Sequence, residues 1–231
     1  MMLDIFSSFD PNVNMVNSYL SPILFWFMTS ITICMFTITM WITPSSMNIL
    51  MFNIMKIMNE QGTRTHGIYL KGFNSFLVAL FIMIININLM GLLPAVFSYS
   101  SHLLFTLSFG LPLWLALIMS AIVFNPTSWL AGLLPGGAPH WLNPFLVIIE
   151  TISISVRPLT LSFRLAANMS AGHIVLTLIG TYCAASMFSS IVGFIILLGI
   201  QIGYIMFEIG ICFIQSYIFC LLLSLYSDDH T

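Results

Sequence analysis

With 231 residues, 59% of them hydrophobic and only 5% charged, the chain cannot sustain a water-facing surface, for which about 25% charge is usual. Five basic against seven acidic residues give a formal charge of −2 and no basic patch, which excludes nucleic acid as a partner. Separate apolar runs of roughly 18 residues or more exclude a membrane β-barrel and predict an all-α, polytopic integral membrane protein.

No polar linker divides the sequence, so residues 1–231 are expected to form a single polytopic membrane domain. The acidic N-terminus MMLDIFSSFD does not look like a cleaved presequence. A first span is expected at about 20–42, where Ser and Thr bond back to their own helix and Trp26 and Trp41 mark the interfaces. Thr43-Pro44-Ser45-Ser46 ends it. Residues 47–71 differ in kind. Met47, Leu50, Met51, Ile54, Ile57 and Met58 fall at helical spacing with Asn53, Lys56, Asn59 and Glu60 between them, which predicts an amphipathic helix in the membrane interface. Lys56, Arg64 and Lys71 put this segment on the cytosolic side, or on the matrix side in a mitochondrion.

Two further spans are expected, at about 73–97 and 103–124. Asn86 and Asn88 in the first are either interhelical hydrogen-bonding groups or the polar lining of a water path. Residues 125–141, rich in Pro and Gly, read as loop, with His102 and His140 solvated. Asn143-Pro144 starts a long helix to about 180, kinked at Pro158. After a break near Gly180–Ala185, apolar sequence runs over 187–226. That is too long to stand upright in a core of roughly 30 Å, so the segment either breaks at Gly199, Gly203 or Gly210, or lies steeply tilted. Cys34, Cys183, Cys212 and Cys220 lie inside apolar runs without CxxC spacing and read as buried thiols, not as a disulfide or metal site. No metal and no cofactor are expected.

The polar residues of the last two helices carry the chemistry. Glu150, Arg157 and Arg164 are seven apart and share a helix face, which Asn168 joins one turn on; His173 faces another way. Gln201, Glu208 and Gln215 form a polar stripe at the same spacing, beside a Gly199/Gly203 pair suited to close helix packing. Intramembrane charge costs about 2.5–3.5 kcal/mol per residue, so these groups either neutralise one another or perform a task. Titratable Glu and His beside an arginine that cannot lose its proton suit a proton path with a fixed positive barrier.

The runs RLAANMSAGHIVLTLIG and FEIGICFIQSYIFCLLLSLY, together with INLMGLLP at Ile87–Pro94, resemble the a-subunit family of F-type ATP synthases in its mitochondrial form. The likeness covers nearly the whole chain. It implies an N-terminal span, an interfacial helix, two spans and two long tilted membrane-embedded helices. By this resemblance Arg164 faces a ring of c subunits. His173 and Glu208 line the half-channel to the intermembrane space, and Asn168 and Gln215 lie close to the arginine. Glu150, with Asp228 or Asp229, belongs to the matrix half-channel. Arg157 departs from the forms compared and has no role beyond pairing with Glu150. The implied partners are the c ring, other membrane and peripheral-stalk subunits, protons and lipid, in the mitochondrial inner membrane. With no nucleotide-binding loop, the chain would make no ATP by itself. The alternative is a proton-translocating subunit of a respiratory oxidoreductase. That would want paired histidines for haem or buried lysines, whereas only His173 is well embedded and Lys56 and Lys71 flank the interfacial segment.

Overall fold

The computed structural model describes residues 46–93, 98–134 and 140–228; the expected first span at 20–42, with Cys34, and Asp229 lie outside them. The described residues form helices α1 (Ser46–Gly62), α2 (Phe73–Gly91), α3 (Leu103–Phe124), α4 (Pro126–Gly132), α5 (Asn143–Ser189) and α6 (Ile191–Asp228). Four of them, α2, α3, α5 and α6, are long and apolar enough to cross a membrane.

Several boundaries differ from the expected ones for local reasons. The interfacial helix stops at Gly62, and a short 3-10 turn at His66–Tyr69 carries the chain to α2. Helix α2 ends at Gly91, not 97: Leu92 and Leu93 tighten onto Leu89 and Met90 just ahead of Pro94, which disfavours helix before it. Within the expected loop, Pro126 supplies a preset first position for α4, and Thr127 bonds to the side chain of Asn125 at 3.0 Å. No break falls at Gly180–Ala185. One glycine costs only about 1 kcal/mol in a helix, and Ala184 and Ala185 favour continuation. The interruption is the single residue Ser190, whose carbonyl accepts from the amide of Phe194 as α6 begins. Helix α6 runs unbroken through Gly199, Gly203 and Gly210. At 47 and 38 residues, α5 and α6 are about 70 and 57 Å long, so neither fits upright within a core of roughly 30 Å.

Contacts cluster into two compact units. One comprises residues 49–82, 103–164 and 217–228. Its core gathers Met58 of α1, Leu77 and Phe81 of α2, Leu161 of α5, and Phe219, Cys220 and Leu223 of α6. Gly110 lets α3 approach α5 and α6: a Cβ there would meet the Pro158 carbonyl at 3.7 Å, Ser162 Cβ at 3.8 Å and Phe219 at 4.0 Å. Those are ordinary contacts, so Gly110→Ala is expected to be neutral. Gly110→Leu overpacks the junction by about 1–3 kcal/mol. Thermal inactivation of the solubilised complex will separate the two variants. At the end of α6, the His66 amide donates to Asp228 Oδ1 at 2.6 Å and Ser227 packs against Gly67, tying the helix terminus to the turn after α1.

The other unit comprises residues 83–102 and 165–216, with the described residues 46–48. Here Leu165, Ala166 and Met169 of α5 and Cys212 of α6 are buried, Met169 touching Cys212 and also meeting Gly91 at the end of α2. Met169 pairs with Cys212 and Gly172 with Glu208, so the two helices run antiparallel.

Each interior holds both met and unmet polar groups; in the first, Asn74 Oδ1, Trp114 Nε1 and Asn143 Oδ1 have no hydrogen-bond partner among the described residues. In the first, the buried hydroxyls of Thr106, Ser162, Ser224 and Ser227 all donate to carbonyls three residues earlier in their own helices. In the second, both amide atoms of Asn86 and of Asn88, the Ser100 hydroxyl and Glu208 Oε2 are buried without a hydrogen-bond partner among the described residues.

Candidate functional site

Glu208 is the centre of the second unit. It lies on α6 with 2% of its surface exposed, although the helix around it is almost wholly apolar. Space for its carboxylate comes from α5. A Cβ added at Gly172 would stand 2.5 Å from Oε1 and 2.7 Å from Oε2, so the carboxylate rests directly against the glycine backbone. The next residue is His173, half-buried. Tyr204 lies one turn before Glu208 on the same helix, and Cys212 follows one turn after. Cys212 Sγ contacts Met169 Sδ at 3.8 Å and closes that end of the site.

Glu208 and the glycine beside His173 thus come together from two helices. Gln215 and Gln201 sit half-buried on the same stripe of α6 as Glu208, two turns to either side. Gly172 and Tyr204 escaped the sequence reading. The i, i+4 spacing of Tyr204 and Glu208 was legible, whereas the need for a glycine at 172 depends on which helix faces it. Gly199 and Gly203, expected to allow close helix packing, have no atom of the described residues within 4 Å of the position a Cβ would take.

Arg164 stands apart. It is exposed on α5, with Thr160, Phe163, Ala167 and Ala171 on the surrounding surface, and makes neither ion pair nor hydrogen bond among the described residues. Asn168, one turn on, is half-buried.

Glu150 and Arg157 meet in the first unit. Arg157 Nη2 lies 3.6 Å from Glu150 Oε1, both side chains more than a third exposed, and the guanidinium stands 5.7 Å over the Tyr226 ring. Pairing and stacking account for Arg157 as a local charge clamp, whereas Arg164, two turns further along, has neither. Cys183, Cys212 and Cys220 are free and buried, as expected.

Helices long and apolar enough to cross a membrane thus carry an arginine with no ion pair among the described residues and a buried carboxylate, both costly there unless they are put to use. The particular family follows from comparison. The chain belongs to the ATP synthase A chain family, whose model matches residues 22–228. It is 37% identical to ATP synthase subunit a of Artemia franciscana over 232 residues, covering 99% of this chain and all of that protein. Identity is 37% to the Locusta migratoria subunit a and 38% to that of Drosophila simulans, each over 230 residues and 99% of both chains.

Proposed function

We propose that this chain is the stationary proton-conducting subunit of an ATP synthase Fo motor, working against a ring of c subunits in the mitochondrial inner membrane. It binds no nucleotide; it is the membrane subunit that couples proton flow to rotation. The observation that carries the reading is Glu208, a carboxylate buried in an apolar helix and held against Gly172, in a unit that also buries Asn86, Asn88 and Ser100. A dry apolar interior does not leave Asn86, Asn88, Ser100 and a carboxylate oxygen unpaired, because each unmet group costs about 1–3 kcal/mol. Such groups suit a hydrated path along which Glu208 and His173 exchange protons on the intermembrane side. Glu150 and Asp228 are the acidic groups assigned to the matrix side, near the basic segment of Lys56, Arg64 and Lys71. Asn168, one turn along α5 from Arg164, and Gln215, on the Glu208 stripe of α6, are the further polar residues assigned to the path.

Arg164 sets the direction. A c-subunit carboxylate must be neutral to travel through lipid. Within about 4–6 Å of a guanidinium its pKa falls by 1–3 units, so it ionises, releases its proton to one half-channel and is reloaded from the other. Arginine cannot relay that proton, since its own pKa exceeds about 12, and it therefore blocks a direct leak. Peripheral-stalk and other membrane subunits hold the chain still while the ring turns.

Glu208→Gln tests the reading, because the amide keeps the shape and loses the titration. ATP-driven proton pumping by the assembled complex is expected to fall by at least about tenfold, within the range that removing an acid–base group produces. His173→Ala should change the pH dependence of pumping in the same preparations. Full pumping by Glu208→Gln with an unaltered pH profile would remove Glu208 from the path.

A further inference from the structure

We propose that the first unit carries a binding site for one anionic phospholipid, distinct from the proton path and independent of the function assigned to it. A cavity of about 420 Å³ opens beside the start of α2, walled by Leu70, Phe76, Leu113, Leu117 and Leu223, with Lys71 at its rim. Its lining is apolar apart from two groups. Ser120 donates its hydroxyl to the Leu117 carbonyl, and Lys71 is the only charged residue in the wall. Lys71 is exposed and has no ion pair among the described residues.

The chain at the rim is shaped to leave the cavity open. Gly72 turns the backbone at a φ of +81°, a conformation that glycine adopts without strain, and nothing lies within 4 Å of where its Cβ would be. Phe76, in the wall, is itself exposed, so the cavity opens outward on that side. Tyr69, 81% exposed, stands next to the rim as an interfacial aromatic would. The positive end of the α2 dipole adds to the Lys71 charge at the same end.

Shape and charge select the occupant. The α3 wall runs from Leu113 to Ser120, about 10 Å at 1.5 Å per residue, a short apolar wall ending at a lysine. It suits part of a flexible acyl chain, with its phosphate brought to Lys71. The basic side of the membrane is also where anionic lipid is gathered by positive residues.

The test uses the intact complex in vesicles of phosphatidylcholine doped with phosphatidylglycerol bearing a photoreactive acyl chain. Phosphatidylcholine with the same tail serves as the comparison. Phosphatidylglycerol should label residues 70–77 and 113–120 about fivefold more than phosphatidylcholine, the ratio one lysine supplies at a membrane surface. Lys71→Gln should bring the two lipids level, and Ala116→Phe, which obstructs the cavity, should remove labelling by both. Equal labelling of the wild-type complex by the two lipids overturns the anionic selectivity. Absence of labelling by either means that protein covers this face, and overturns the site. Should a variant fail to assemble, the two-lipid comparison on the wild-type complex still decides.

Discussion

Replacing Arg164 with alanine is expected to abolish coupled proton transport while the complex still assembles. The guanidinium is exposed on α5 and touches no acid of the described chain, so its loss removes no internal ion pair. What disappears is the charge that ionises a passing carboxylate. A pKa reduction of 1–3 units corresponds to about 10- to 1,000-fold in ionised fraction, so the proton-release step fails by that factor. Arg164→Lys restores a charge, but one that sheds its proton when desolvated, and recovery should be slight. ATP-driven pumping in membranes, with assembly followed in parallel, decides the matter. An assembled Arg164→Ala complex that pumps normally would mean that this arginine is structural and that coupling lies elsewhere.

Gly172→Ala is expected to produce the second large effect. A methyl group at 172 would sit 2.5 Å from the Glu208 carboxylate, well inside contact distance. The obstructed atoms are the far end of a flexible side chain, so the helices hold their places and the carboxylate retreats by about 1 Å. Misplacing a reacting group by that distance costs on the order of 100-fold in rate. Pumping should therefore fall steeply with assembly unchanged. Glu208→Asp shortens the side chain by one methylene and vacates the space that the new methyl group needs. The double variant Gly172→Ala/Glu208→Asp should then pump no worse than Glu208→Asp alone. If the two losses simply multiply, Gly172 does not act through the carboxylate.

Much of this arrangement is written in local sequence. Apolar runs bounded by Pro and Gly located α2, α3 and the long α5 and α6, because a backbone in lipid must satisfy itself and leaves few alternatives to helix. The seven-residue spacing of Glu150 and Arg157 foretold their ion pair. Less legible were features that depend on a neighbour across space. Gly199 and Gly203 carry the pattern of a packing site yet meet none of the described residues, while Gly172, one residue before a histidine, makes the close approach. Asn86 and Asn88 lie two residues apart, which places them on opposite sides of α2, and both are buried all the same. Periodicity can say that one of the two points inward; only the packing shows that both do. The family resemblance supplied roles for Arg164, His173 and Glu208 that composition and spacing alone left open between neutralisation and work.

One habit of α5 bears on how anything slides past it. The exposed hydroxyls of Thr151, Ser155, Thr160 and Thr181 each donate to a carbonyl three residues back, at 2.8–2.9 Å. Among the exposed residues of that stretch, the one strong donor left unspent is the guanidinium of Arg164. In the motor proposed above, α5 would act on a passing neighbour as a surface with a single catch, one that holds an ionised carboxylate at residue 164 and lets go when that carboxylate is protonated.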